Sequence, residues 1–137
     1  MKFERCYNPA FIPRILVDQM PDKEMSPDRF YDFLTLVISS PTHFLWLMID
    51  DENEIQGFLW CELNLINMNI IVNELSTRKS QWNSGKMIDV VTEFLKVFMK
   101  ENGIKKGIWV TNRPALFEKK NFTRSKNVYM EYVLEEE

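Results

Sequence analysis

The spacing of apolar residues along the chain predicts where helices and strands lie. Apolar residues recur every three or four positions within 30–38 and again within 87–98, which is typical of amphipathic helices with one buried face. Other apolar runs, at 44–49, 54–65 and 69–75, lack this spacing and are separated by short polar turns. These runs predict a hairpin that a third strand extends into an antiparallel meander.

Both long helices carry boundary signals. Ser26 is suited to capping the first helix, and Pro27 fits its first position, where no backbone N–H is needed. Pro41 then ends that helix. Gly103 follows the second helix at the position where a glycine commonly terminates a helix.

The remaining segments predict further strands and short helices. Residues 2–6 suit an edge or first strand, and the prolines between 8 and 30 indicate short helical turns. A short buried strand is expected at 107–111 and a short helix at 113–121. Strict alternation over 127–134 predicts a final strand. The resulting order, β-α-α-β-β-β-α-β-α-β, predicts an α+β fold with a twisted, mostly antiparallel mixed sheet flanked by helices.

Length and charge narrow the class of protein. The chain has 137 residues, of which 45% are apolar and 13% aromatic, so we expect a single domain over residues 1–137 with one hydrophobic core. The net charge is −3, from 17 basic and 20 acidic side chains. This balance gives no electrostatic reason to expect binding to nucleic acid or to an anionic membrane.

Cysteine and histidine are too scarce to indicate a metal site. Cys6 and Cys61 show no CxxC spacing, and each lies in a strand-like run, which predicts reduced core residues. His43, the only histidine, is predicted to be a surface residue. The N-terminus lacks the apolar run of a signal peptide, and no run approaches the roughly 20 residues that span a bilayer, so a cytoplasmic domain is expected.

Four stretches, in this order, resemble the GNAT superfamily of N-acetyltransferases. "DENEIQGFLWCEL" resembles the family's second hairpin, and "NIIVNELSTRKSQWNSGKMIDVV" resembles its fourth strand and cofactor loop. "WVTNRPALFEKKNF" resembles the following strand and helix, and "VYMEYVL" the closing strand. The resemblance covers residues 43–134 and implies a GNAT-like acyl-CoA N-acyltransferase fold, with acetyl-coenzyme A as cosubstrate.

The cofactor loop keeps only part of the family pattern, which is Arg or Gln, two residues, Gly, one residue, then Gly or Ala. Gly85 fits the last position, whereas Asn83 replaces the first Gly and Gln81 is one place out of register. Read without the resemblance, Asn83 or Ser84 caps a helix and Gly85 allows a turn. The cofactor-binding residues that the resemblance implies are Leu75, Ser76, Thr77, Gln81, Asn83, Ser84, Gly85, Lys86 and Asn112, the first three through a bulged backbone.

The resemblance also implies an amine that attacks a thioester directly, which needs a general base and is helped by a general acid. Glu74 and Glu62 are the candidate bases. Phe117 occupies the position where the family has a Tyr that acts as the general acid, and Asn121 occupies the position where the family has Gly. Tyr129 or Tyr132 would be a substitute acid, although packing in the core or at the surface explains both residues better.

Three functions therefore follow, the last two being alternatives to the first. The first is an acetyl-CoA-dependent N-acetyltransferase acting on a small-molecule or peptide amine. The alternative is a catalytically inactive binding or structural protein of the same fold, of the kind a virus can encode, or a module that binds coenzyme A without turnover. A homodimer or a protein partner is left open.

Overall fold

The computed structural model describes residues 1–19, 25–81, 85–111, 113–126 and 130–134. The strands are β1 (Lys2–Arg5), β2 (His43–Ile49), β3 (Ile55–Asn64), β4 (Asn69–Thr77) and β5 (Lys106–Trp109). The α-helices are α1 (Arg14–Asp18), α2 (Pro27–Ser39), α3 (Lys86–Glu101) and α4 (Pro114–Glu118), and 3-10 turns lie at Pro9–Phe11 and Lys79–Gln81.

The strands form one five-stranded sheet in the order β1-β2-β3-β4-β5. The first four strands pair antiparallel, and β4 pairs parallel with β5. This mixed, mostly antiparallel sheet with flanking helices confirms the predicted α+β fold.

Both faces of the sheet are covered, which explains why β2 reads as an unbroken apolar run. On one face, here called the α2 face, Leu45, Leu47 and Phe58 pack against α1 and α2. On the opposite face, here called the α3 face, Trp46 and Leu59 pack with the buried side of α3. The core is therefore two layers divided by the sheet.

Local signals set the ends of α2 as predicted. Ser26 accepts a hydrogen bond from the Arg29 backbone N–H at 3.3 Å, and Pro27 is the first helical residue. The buried residues Phe30, Leu34 and Val37 face the sheet.

Aromatic rings hold α3 against the sheet. Phe94 and Phe98 meet the Trp46 ring edge-on, with centroids 4.9 and 5.1 Å away. Phe3 of β1 stacks on Phe94 at 4.1 Å. Such pairs contribute roughly 0.5–1.5 kcal/mol beyond the area they bury.

The predicted final strand is wrong for the part that the structure describes. Residues 130–134 form no strand and are exposed, and residues 127–129 lie outside the described part of the chain. An alternating pattern of apolar and polar residues shows only that a segment can form a strand. The strand forms only when a neighbouring strand pairs with its backbone N–H and C=O groups.

None of the described helices is long and apolar enough to span a membrane.

Asp50 organises the turn between β2 and β3. Its carboxylate accepts hydrogen bonds from the backbone N–H groups of Glu52 and Glu54, both at 2.9 Å, and from Gln56 Nε2 at 2.7 Å. These bonds, chiefly the one from the Glu54 N–H, lower the pKa of the Asp50 carboxyl below its usual value.

We expect Asp50→Asn to unfold at a lower temperature than the wild type at neutral pH. Because the folded pKa lies below that of the unfolded chain, the Asp50 charge stabilises the fold above about pH 3.9 and loses that effect as the pH falls through the folded pKa. The two melting temperatures should therefore converge in acid. Circular dichroism melts at several pH values test this, with Asp51→Asn, the exposed neighbour in the same turn, as control. Equal melting temperatures at neutral pH would contradict it.

Candidate active site

Strands β4 and β5 pair along only the first half of β4. They pair only from Asn69↔Lys106 to Val72↔Trp109, whereas β3 pairs with β4 as far as Thr77. Residues Asn73–Thr77, here called the open edge of β4, lie beyond the last β4 residue that pairs with β5, and within the described sheet β3 is their only neighbouring strand. A half-paired strand is suited to binding an extended ligand that carries amide groups.

A bulge begins this open edge. Trp60 pairs with Glu74 while Cys61 pairs with Val72, so Asn73 is an extra residue in β4. The resemblance had implied a bulged backbone around Leu75, Ser76 and Thr77, and the bulge lies earlier than that. A bulge increases the local twist of its strand and commonly lies beside an active site.

The end of the open edge is anchored to α1. Ser76 Oγ donates to the Leu16 carbonyl at 2.8 Å, and Gln19 Nε2 donates to the Thr77 carbonyl. The Ser76 hydroxyl and the Thr77 carbonyl are therefore already engaged. Sequence reasoning missed Gln19, because nothing local shows that the residue after a short helix reaches a strand that is far away in sequence.

Gly57 of β3 lies directly beside the open edge of β4. A Cβ at this position would lie 2.6 Å from the Ser76 carbonyl oxygen and 3.0 Å from Thr77 Cγ2. Only a residue without a side chain allows β4 to approach β3 this closely.

We expect Gly57→Ala to destabilise the protein by about 1–3 kcal/mol, because the added methyl group must push β4 away. Gly107→Ala in β5 is the matched control, since its Cβ would meet nothing closer than Met99 Sδ at 3.4 Å. Urea unfolding of both variants measures the difference. A loss for Gly57→Ala no larger than that for Gly107→Ala would show that the approach of β4 to β3 does not constrain position 57.

The two candidate bases lie on the same face of the sheet. Glu74 is the cross-strand neighbour of Trp60, and Glu62 is the neighbour of His43. Trp60 packs with the core of the α2 face, and side chains paired across strands share a face. Both carboxylates therefore lie on the α2 face, with Glu74 directly after the bulge.

His43 belongs to this cluster and is partly buried, so it is less exposed than the surface residue that the sequence predicted. Trp60 Nε1 donates to His43 Nδ1 at 3.0 Å, and His43 Nε2 lies 3.8 Å from Glu62 Oε2. The His43 side chain is only 24% exposed. Because Nδ1 accepts a hydrogen bond from the indole, the proton of the neutral imidazole is on Nε2, the nitrogen that faces Glu62.

Gly85 begins α3 with a left-handed backbone, at φ 75°. A Cβ there would meet Lys120 Cε at 3.1 Å and Leu116 Cδ1 at 3.2 Å. Lys120 Nζ forms an ion pair with Asp89, in the first turn of α3, at 2.8 Å. A lysine that follows α4 thus lies beside the start of α3, which sequence reasoning did not predict. Lys86 is the first residue of the helix and is exposed.

The other implied cofactor residues are only partly described. Gln81 Nε2 lies 3.4 Å from Gln56 Oε1, so this side chain is directed toward β3. Asn83, Ser84 and Asn112 lie outside the described residues.

Phe117 supplies no acid. Its ring is buried and meets Trp109 and Phe122 edge-on, with centroids 4.9 and 5.2 Å away. Asn121 adopts φ 69°, the left-handed conformation that Gly favours, which agrees with its alignment to the family's Gly. Tyr132 is 88% exposed, and Tyr129 lies outside the described residues.

The cysteines behave as predicted. Both are buried, and burial raises the pKa of the Cys6 and Cys61 thiols. In the described part of the chain, no group of three or more His, Cys, Asp or Glu residues is arranged to hold a metal ion.

The structure is similar to solved acetyltransferases along nearly its whole length. A probable acetyltransferase matches with a TM-score of 0.77 at 13% identity, over 99% of this chain and 100% of the other. An aminoglycoside 6'-N-acetyltransferase from Acinetobacter baumannii matches with a TM-score of 0.68 at 11% identity, over 98% and 99%. Glucosamine-6-phosphate N-acetyltransferase from Arabidopsis thaliana matches with a TM-score of 0.66 at 13% identity, over 96% and 97%.

Neither a family model nor a curated protein sequence matches the chain. At these identities the likeness is one of fold. The chain has the GNAT fold, as the resemblance in its sequence had implied.

Proposed function

We propose that the protein is an acyltransferase, and more narrowly an N-acetyltransferase that takes acetyl-coenzyme A as donor and a small-molecule or peptide amine as acceptor. The observation that carries this proposal is the open edge of β4, which starts at a bulge and lies in a strand followed directly by the loop into α3. When bound, acetyl-coenzyme A supplies an acyl group activated as a thioester.

The residues present fit such a donor. The pantetheine arm is extended and carries amides, so the backbone around Leu75 is suited to binding it as an added strand. A helix N-terminus generally has backbone N–H groups without intrahelical partners and a partial positive charge, which suit a diphosphate. Gly85 and the exposed Lys86 lie at that end of α3. Lys120 also lies beside Gly85, with its charge paired to Asp89.

The carboxylates fit the proton transfer that amine attack requires. Glu74 is our first choice as general base, because it directly follows the bulge, and Glu62 is the second. A backbone N–H at the bulge would stabilise the negative charge that develops on the carbonyl oxygen. Phe117, at the Tyr position, has no proton to donate, so a thiolate released there would be protonated by solvent. This is feasible because an alkyl thiol has a pKa of about 8.5, so the thiolate is only a moderate base near neutral pH.

We expect acetyl-coenzyme A to bind the wild type and to bind Gly85→Glu at least about tenfold more weakly, because the new carboxylate would repel the diphosphate. Isothermal titration calorimetry measures both. Gly103→Glu is the matched control, since Gly85 and Gly103 have similar φ values, 75° and 66°, at opposite ends of α3. Both substitutions strain a left-handed backbone, but a side chain at position 85 also crowds Lys120 and Leu116, whereas nothing lies within 4 Å of a Cβ at position 103. Gly85→Gln, which adds the same bulk without the charge, is therefore the second control and should bind more tightly than Gly85→Glu.

Absence of binding by folded wild-type protein would overturn the choice of donor and would favour the non-catalytic protein. Binding without release of thiol across a panel of amines would favour a coenzyme-A-binding module without turnover.

We expect removal of the general base to lower the rate of thiol release about 10²–10⁴-fold. Glu74→Gln and Glu62→Gln keep the size of each side chain while removing its charge. Glu52→Gln, in the exposed turn between β2 and β3, is the control. Wild-type rates for both Glu74→Gln and Glu62→Gln would exclude a carboxylate base on the α2 face.

A further inference from the structure

The turns at the two ends of β3 differ in chemistry. The turn before β3, at 50–54, consists of Asp, Asn and Glu residues, and 51–54 are exposed. The turn after β3, at 65–68 and here called the β3–β4 turn, reads Leu-Ile-Asn-Met and is also exposed. Turns are usually built from Gly, Pro, Asn, Asp and Ser, so three apolar residues out of four are unusual.

The apolar side chains of the β3–β4 turn point into solvent. Ile66 is 93% exposed, Leu65 61% and Met68 36%. The shape of the turn does not depend on them, because Asn64 Oδ1 accepts hydrogen bonds from the backbone N–H groups of Ile66 and Asn67 at 3.0 and 3.3 Å. A continuous exposed apolar stretch of this kind is typical of a surface that contacts a partner.

Two lysines border the β3–β4 turn. The Lys105 backbone N–H donates to the Met68 carbonyl at 3.3 Å. Lys106 is the cross-strand neighbour of Asn69, the residue that directly follows the turn. Both lysines are exposed, and neither has an ion-pair partner among the residues that the structure describes. The chain as a whole has a net charge of −3, so the positive charge beside the turn is a local feature.

The end of α3 does not cancel this local charge. Its last turn carries Lys100 and Glu101, both exposed. Since these two charges offset each other, the basic character beside the turn comes from Lys105 and Lys106.

This combination of residues fits a lipid bilayer better than a protein partner. At a bilayer surface, aliphatic side chains enter the boundary of the acyl chains while lysines remain at the level of anionic headgroups. Protein interfaces instead bury about 800 Å² on each partner, are enriched in Trp, Tyr and Arg, and are depleted in Lys. The β3–β4 turn is a narrow feature without aromatic residues or arginine, and its neighbours are lysines.

We propose that the β3–β4 turn docks this protein on an anionic lipid membrane. Leu65 and Ile66 insert at the boundary between headgroups and acyl chains, and the two neighbouring lysines contact the headgroups. The occupant of the turn is thus a bilayer surface that carries negative charge.

Docking through this turn leaves the candidate active site accessible. The pairing of β3 with β4 runs from Asn64↔Asn69, beside the turn, to Gly57↔Thr77, at the open edge of β4. The turn and the open edge therefore lie at opposite ends of the sheet, and a docked molecule directs the open edge away from the membrane.

Co-sedimentation with lipid vesicles tests the docking. We expect the wild type to bind vesicles of phosphatidylcholine mixed with phosphatidylserine and to bind phosphatidylcholine alone much more weakly. A chain with Leu65→Ser and Ile66→Ser should bind the mixed vesicles at least about tenfold more weakly, because membrane affinity scales with the apolar area inserted. Phe11→Ser with Ile15→Ser is the matched control, since these side chains are 62% and 55% exposed in and just before α1, which contacts the open edge of β4.

The role of the lysines has its own test. Lys105→Gln with Lys106→Gln should weaken binding to the mixed vesicles by about fivefold per lysine, and this loss should shrink as salt screens the headgroups. Lys86→Gln with Lys96→Gln removes the same charge from two exposed lysines of α3 and should bind as the wild type does.

A fluorescent label reports insertion directly. An environment-sensitive dye on Ile66→Cys should become brighter and shift to the blue when the mixed vesicles are added. The same dye on Glu52→Cys, in the exposed turn at the other end of β3, should not change. The native cysteines are buried, so the added cysteine is the one that is labelled.

Three outcomes would overturn the proposal. The first is a wild type that stays in solution with both kinds of vesicle, and the second is unchanged binding by the Leu65→Ser, Ile66→Ser chain. The third comes from sedimentation without lipid. A wild-type dimer that the same two substitutions make monomeric would show that a second copy of the chain covers the turn.

Discussion

The change from antiparallel to parallel pairing between β4 and β5 is the constraint on which the rest of the site depends. Parallel neighbours cannot be joined by a tight turn, so the chain must cross over through a helix, and here that helix is α3. A crossover helix starts near the end of the strand that precedes it. The topology therefore brings Gly85, the first turn of α3 and the open edge of β4 to the same end of the sheet, where ligands of open sheets characteristically bind.

The sheet also separates the aromatic packing around α3 from the candidate catalytic carboxylates, which lie on the opposite face. On the α3 face, aromatic rings and aliphatic side chains fill the space between Trp46 and the helix. On the α2 face, a comparable core stops short of Glu62 and Glu74, which lie beside the hydrogen-bonded pair of Trp60 and His43. A strand that alternates between these two environments can hold the fold with one set of side chains and present carboxylates with the other.

The sequence predicted what local patterns determine. Ser26 caps α2, the hairpin and meander form where expected, and α3 buries the predicted stripe. The position of the bulge at Asn73 and the bond from Gln19 to Thr77 were not predictable, because both depend on which distant residues pack together. The prediction of a final strand was wrong for a related reason. The alternating pattern in 130–134 shows that the segment can form a strand. The residues of the segment do not determine which neighbouring strand it would pair with.

The contact of Gly57 with the backbone of Ser76 has a consequence for engineering the cleft. The distance between β4 and β3 depends on the lack of a Cβ at Gly57, not on any residue that would contact a ligand. The width of the gap between β4 and β5 can therefore be tuned from the far side of β4, by changing side-chain volume on β3 while every ligand-facing group stays the same. Positions behind a binding strand deserve the same scrutiny in design as positions that line it.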